Sequence, residues 1–253
     1  MTFLTIAIPT YNRVEYLKEL LPRMFQQCKP YSDIEILVSD NATTDGTYEL
    51  LLNQTWNSQL EYRFNETNVG GDENMVRCVE ASRGEYVWLF GDDELICDGA
   101  IDSVYKILKD HHPALLVVGD INSKKTHFYG LYSQYIWDSS IRDLLDQTLI
   151  TCNIFKKDLF NCTEARELEH TNYGHKYTIM NSLKKGGVIE RIDTPILIIR
   201  DTRAPSQDNL HWIRTKQIQY LRHLGVSHSR LVVYIISGLI IPSIQRQIKK
   251  VVS

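Results

Sequence analysis

The sequence predicts an α/β fold in which a mostly parallel central sheet is flanked by helices. Three observations carry that prediction. Short apolar runs alternate with amphipathic segments of helical spacing through the first half of the chain. The run Tyr86–Phe90 is uninterrupted by charge, as a strand covered on both faces should be. The turn after each apolar run is rich in Asp, Asn, Thr and Gly.

The elements follow in order. Phe3–Ile8 is rich in β-formers and is stopped by Pro9. Asn12 and Glu15 form a capping pair for a helix with Val14, Leu17, Leu21, Met24 and Phe25 on its apolar face. Ile34–Val38 is a second buried strand. It ends in the polar turn Asp40–Gly46, and a helix runs on through Tyr48, Leu51 and Leu52. Leu60–Phe64 is a third strand, Asn68-Val69-Gly70-Gly71 turns into a helix over Glu73–Ala81, and Tyr86–Phe90 is the fourth strand. In such a sheet ligands bind beyond the carboxyl ends of the strands. That directs attention to Pro9–Arg13, Asp40–Gly46, Asn65–Gly71 and Gly91–Glu94.

The second half is less regular. Leu115–Val118, Leu149–Phe155, Val188–Ile192 and Ile196–Arg200 read as strands, and Arg166–Leu183 as helical in part. Asp201–Asn209 is a polar loop containing proline, followed by helical segments over His211–Leu224 and Ser227–Lys250. Aromatic residues crowd His127–Trp137, either as core or as an exposed platform.

Composition narrows the function. The chain of 253 residues is 43% hydrophobic and 23% charged, ordinary values for one globular domain with or without an appendage. A net charge of −3, with no long basic stripe, argues against a nucleic-acid binder. The five cysteines are scattered without a CxxC pair, so reduced thiols in a cytoplasmic chain are expected rather than a disulfide scaffold or zinc site. Met1–Ile6 reads as the first strand, not as a secretion signal.

The chemistry gathers at Gly91-Asp92-Asp93-Glu94. Adjacent carboxylates at a strand end repel one another unless a cation lies between them. Hard divalent ions such as Mg²⁺ or Mn²⁺ suit one or two carboxylates plus substrate phosphates. The same residues also suit a solvated acidic turn capping the next helix.

Three motifs then carry a resemblance. Ile6-Ala7-Ile8-Pro9-Thr10-Tyr11-Asn12-Arg13, Val38-Ser39-Asp40-Asn41-Ala42-Thr43-Thr44-Asp45-Gly46-Thr47 and Gly84-Glu85-Tyr86-Val87-Trp88-Leu89-Phe90-Gly91-Asp92-Asp93-Glu94 resemble, in order and spacing, the family 2 glycosyltransferases of the GT-A fold. The resemblance covers residues 1 to about 110 firmly and continues loosely to about 200. It implies a catalytic domain over 1–200, with a nucleotide-sugar half (1–110) and an acceptor half (111–200), and a helical appendage over 201–253.

The implied activity is transfer of a sugar from a nucleotide diphosphate sugar to a hydroxyl of a glycan. It would use Mn²⁺ or Mg²⁺, invert the anomeric centre and belong to bacterial surface-polysaccharide assembly. By position, Pro9, Thr10, Tyr11 and Arg13 would wall the nucleotide pocket, and Asp40 and Asn41 would meet base and ribose. Asn68, Gly70 and Asn74 would face the nucleotide, Asp92 would lie near ribose or sugar, and Asp93 would ligate the metal. Arg200, His211 and Trp212 would contact diphosphate or acceptor. Two positions depart from the family: Asn41 stands where aspartate is common, and Phe90 replaces the first acid of the frequent D-A-D-D form.

The acceptor base is the open point. The family's acidic pair is replaced by Tyr173-Gly174-His175-Lys176, so His175 is the candidate. Asp158, Glu167 and Glu169 are rivals. A retaining mechanism, a nucleotidyltransferase and an inactive glycan-binding or scaffolding homologue stay as alternatives.

In the tail, the apolar stretch Leu231–Ile241 spans roughly 16 Å as a helix, too short to cross a bilayer. With the basic residues Arg246, Lys249 and Lys250 beyond it, the tail suits either a membrane-surface contact on the cytoplasmic face, with a lipid-linked acceptor, or packing against the protein or a second subunit.

Overall fold

In the computed structural model of the chain, residues 1–53, 59–121, 127–139, 144, 149–168, 174–200, 217–227, 229 and 231 are described. One sheet runs through them. Its strands are β1 (Leu4–Thr10), β2 (Ile34–Asp40), β3 (Leu60–Phe64), β4 (Tyr86–Leu89), β5 (Glu94–Ile96), β6 (Leu115–Asp120), β7 (Phe128–Leu131), β8 (Asn153–Lys156) and β9 (Val188–Ile199). The order is β3-β2-β1-β4-β8-β6-β9-β5, with β7 also paired to β9.

The part β3-β2-β1-β4 is parallel throughout, as the alternation predicts. Beyond it the sheet is mixed: β8 is antiparallel to both β4 and β6, β6 and β9 are parallel, and β9 is antiparallel to β5 and β7. The reversal at β8 arises because the chain enters that strand from a short 3₁₀ turn, Ile150–Cys152, and runs it back toward the start of β4. Leu149–Phe155 is therefore a turn and a strand. Val188–Ile199 is one long strand where two were expected, with register shifts against β6 near the middle.

The helices are α1 (Val14–Cys28), α2 (Thr47–Asn53), α3 (Gly71–Ala81), α4 (Ala100–His111), α5 (Tyr132–Asp138), α6 (Cys162–Glu167) and α7 (Gly174–Leu183). Alternate side chains of each strand feed opposite faces. Leu4, Ile6, Ile8, Tyr86 and Trp88 pack with Leu17, Leu21 and Met24 of α1 and Ile101, Val104 and Leu108 of α4. Ala7, Leu37, Val87 and Leu89 pack with Val76 and Val79 of α3, Ile179 and Leu183 of α7, Tyr220 and Leu221 of the helical residues 217–223, and Leu224 in the turn after them. Close approach of backbones is built in at Gly84, where a Cβ would sit 2.6 Å from Thr5 N.

The crowded aromatic stretch divides between core and surface. Tyr135 is fully buried, whereas Trp137 on the same helix is 82% exposed. The rest of the tail and the loop over 201–209 lie outside the described residues. Within them no helix is long and apolar enough to cross a membrane.

Candidate active site

The ends of β1, β2, β3 and β4 deliver four turns to one edge of the sheet, and local hydrogen bonds shape each. Asn12 does not cap α1. Its Oδ1 accepts from Thr44 N at 3.0 Å, while Val14 N, at the helix start, donates to Asp45 Oδ2 at 2.8 Å. The first helix is thus capped from the turn after β2, which locks the two turns together. Asp40 is buried and accepts from Thr43 N and Oγ1 at 3.0 and 2.9 Å, holding Ala42 at a φ of 62°.

A network of amides builds the third turn. Asn41 Nδ2 donates to Asn68 Oδ1 (2.8 Å) and Gly70 O (3.3 Å), and its Oδ1 accepts from Asn65 Nδ2 and Val69 N, both at 3.0 Å. Asn74 accepts from Ser39 Oγ at 2.7 Å and donates to Ser39 O at 3.0 Å. Both amides are buried. Asn41 thus holds the 65–70 loop against the end of β2, and Asn74, on the helix that follows, ties that helix to Ser39 and accepts from Asn65 Nδ2 at 3.0 Å. Gly70, at a φ of 88°, then turns the chain into α3 and lines the cleft.

The acidic turn follows β4. Thr10 Oγ1 donates to Asp92 Oδ2 at 2.8 Å, and Arg13 Nη1 pairs with Asp93 Oδ2 at 3.1 Å. Burial, reinforced by Asp93, pushes Asp92 up to about 6, against the opposing pull of the Thr10 hydrogen bond. Glu94 is raised to about 7, first by burial and then by Asp93 and Asp92. Thr151, which the sequence did not single out, supports this turn. Its hydroxyl accepts from Gly91 N at 2.8 Å and bonds Glu94, while its carbonyl accepts from Trp88 Nε1.

Arg200 braces the turn from behind: its guanidinium donates to the backbone carbonyls of Asp93 (2.9 Å) and Asp92 (3.3 Å) and to Glu19 Oε2 (2.6 Å). The end of β9 lies beside this turn because β5 pairs with it.

One cleft of about 570 Å³ brings the pieces together. Pro9, Gly70, Asp92, Asp93, Glu94 and His175 line it, with Leu149 and Ile150 along one side. His175 is 4% exposed and sits in the first turn of α7. Lys176 beside it is buried and its Nζ donates to Asn153 Oδ1, tying α7 to β8. Tyr11, at 45% exposure, stays on the surface. Asp158 is at the wrong end of the sheet for a base, two residues past Lys156, which pairs with the start of β4. Glu167 is exposed on α6 and does not line the cleft. Glu169, His211 and Trp212 lie outside the described residues.

The donor set fits a hard divalent ion. Glu94 Oε2 is buried with no hydrogen-bond partner among the described residues, and three carboxylates share one short turn. No three metal-binding side chains form a ready-made cage among those residues. An ion held by one or two carboxylates and completed by diphosphate oxygens needs none.

Comparison with known proteins bears on this geometry. Residues 5–168 match the family described as Glycosyl transferase family 2. Abequosyltransferase RfbV of Salmonella typhimurium is 42% identical over 100 residues, covering 39% of this chain and 30% of its own. The chain thus spans less than a third of that relative. Among solved structures, S. aureus TarS in complex with UDP superposes with a TM-score of 0.63 at 18% identity, over 86% of this chain and 64% of that one. A mannosyltransferase from Pyrobaculum calidifontis, in complex with GDP-Man and Mn²⁺, does so with a TM-score of 0.58 at 17% identity, over 87% and 62%. At such identities the likeness speaks for the fold, which is the GT-A type.

Proposed function

The chain belongs to glycosyl transferase family 2, and from that premise we propose that it moves a sugar from a nucleotide diphosphate sugar to a hydroxyl of a glycan acceptor, with inversion. The observation that carries the proposal is the convergence of Asp92, Asp93, Glu94 and His175 on a single cleft edged by Pro9 and Gly70. Nucleotide-sugar use is supported by the ligands of the structural neighbours, UDP in one and GDP-Man with Mn²⁺ in the other.

In this reading, Pro9, Thr10, Tyr11 and Gly70 shape the nucleotide side. Asp93 would hold the divalent ion, with Glu94 as a further carboxylate of the same turn, and Asp92 would meet the ribose or sugar. The ion, when bound, neutralises the charge that grows on the departing diphosphate. His175 takes the proton from the acceptor hydroxyl as its oxygen bonds to the anomeric carbon, and the bond from that carbon to the diphosphate oxygen breaks. His175, 4% exposed, lines the same cleft as the acidic turn, and an imidazole there is a suitable proton acceptor for a hydroxyl entering it. The choice between Mn²⁺ and Mg²⁺, the lipid-linked form of the acceptor and attachment to a membrane surface belong to the same proposal.

Thermal shift with UDP, GDP, CDP and dTDP, each with and without Mn²⁺, tests the donor class. A ligand that binds only the folded chain raises its melting temperature by mass action. Stabilisation by at least one nucleotide, enhanced by Mn²⁺, is expected. No shift with any of them would remove the nucleotide-sugar reading.

A further inference from the structure

Two arginines attend the acidic turn, and they do so in opposite ways. Arg13 meets a carboxylate: its Nη1 lies 3.1 Å from Asp93 Oδ2, with the two side chains 32% and 31% exposed. Arg200 meets the backbone of the turn, donating from Nε to Asp93 O at 2.9 Å and from Nη2 to Asp92 O at 3.3 Å. Its third nitrogen, Nη1, is anchored on Glu19 Oε2 at 2.6 Å, and its side chain is only 17% exposed.

The ring of Tyr16 carries both cations. Arg13 lies 5.0 Å and Arg200 4.8 Å from its centroid. Cation–π contact of this kind holds a guanidinium without consuming its donors. Tyr16 and Glu19 are three residues apart on α1, hence on one face of the helix. Tyr16 O also accepts from Arg200 Nη2 at 3.5 Å.

An ion pair between partly exposed groups is weak and readily exchanged. Hydrogen bonds to backbone carbonyls are indifferent to what the carboxylates hold. We propose that Arg13 is a resident cation that satisfies Asp93 until a divalent ion takes its place, and that Arg200, seated on Tyr16 and Glu19, is a positioning residue that braces the Asp92-Asp93 backbone in both conditions. This rests on the metal reading of Asp93 given above. It separates the two arginines by sign: removing Arg13 frees a ligand for the ion, whereas removing Arg200 loosens the turn that presents it.

The test is Mn²⁺ binding, read by electron paramagnetic resonance on the full chain, with and without UDP. Arg13→Gln is expected to bind Mn²⁺ alone about two- to fivefold more tightly than the parent, the range of a partly exposed ion pair. Arg200→Gln is expected to bind it about tenfold more weakly, as lost charged hydrogen bonds to a fixed partner imply. Glu19→Gln keeps both arginines and the Tyr16 ring, removes only the anchor of Arg200 Nη1, and should weaken binding in the same direction as Arg200→Gln, by less. Far-ultraviolet circular dichroism establishes that each variant is folded, and Glu19→Gln carries the brace test if Arg200→Gln is not. Equal Mn²⁺ affinity in all four proteins overturns this inference and leaves the metal reading standing. Mn²⁺ on none of them, even with UDP, overturns both.

Discussion

The two sides of the cleft are built differently. On the nucleotide side, every turn is held by side chains from a neighbouring turn: Asp45 caps α1, Asn41 holds the 65–70 loop, and Thr10 and Arg13 hold the acids. On the acceptor side, His175 opens a helix whose nearest described tether is Lys176 on Asn153. The side proposed to meet the nucleotide is a closed hydrogen-bonded unit, whereas the side proposed to meet the acceptor offers His175 from the first turn of one helix. A shared donor chemistry needs the first, because phosphate and ribose are met by fixed dipoles. Acceptors vary, and a site carried by one helix end can vary with them.

The sharpest break in that contrast comes from the acids. Asp93→Asn should lower turnover by about a thousandfold or more while leaving the melting temperature nearly unchanged, since a partly exposed carboxylate contributes little stability. Full activity with saturating Mn²⁺ would return the acidic turn to a purely structural role. On the other side, His175→Ala should lower kcat by about a hundredfold with a much smaller change in donor KM, the usual share of a general base. An unchanged kcat would remove His175 and leave the retaining alternative in its place.

Asn41→Asp probes the amide network. The new carboxylate faces Asn68 Oδ1 and Gly70 O, which now receive two donated bonds. Losing both should cost about 1–3 kcal/mol of stability and raise donor KM with little effect on kcat. Denaturant unfolding and steady-state kinetics measure the two effects. If Asn41 met the base instead, base preference would change and stability would not.

The smallest expected effect is on pH dependence. Asp92 and Glu94 have raised pKa values in the fold, about 6 and about 7, burial being the first cause in both. The folded chain therefore binds more protons than the unfolded chain between their ordinary and raised values. The stability they contribute is complete at low pH and is lost as pH rises through about 6 and about 7. The ligand-free melting temperature should fall across that window, and Glu94→Gln should flatten part of the fall. A melting temperature from this source that rises with pH would contradict the burial argument.

Some of this was legible in the residues. Strand-end turns were visible because apolar runs and turn formers have local signatures, and the resemblance of three ordered motifs pointed to Asp92, Asp93 and Gly70, which line one cleft. Thr151 and Tyr16 were not, since a hydroxyl and a ring carry no signal in sequence for the partner they will meet. The bonds of Arg200 to the carbonyls of Asp92 and Asp93 were not legible, because an arginine beside a polar loop offers charge but not direction. The bonds of Asn41 and Asn74 were equally hidden, since an amide can bind inside a loop as readily as on a ligand.

The sequence by itself determined the alternation of strands and helices, the parallel half of the sheet and the acidic turn at the end of β4. These follow from periodicity and turn chemistry within a few residues. Only the tertiary structure decided that β8 runs antiparallel, that His175 enters the acidic cleft and that Arg200 turns back onto the carbonyls of Asp92 and Asp93. Those outcomes depend on contacts between residues up to 184 positions apart, and side-chain direction across such separations is set by packing rather than by local pattern.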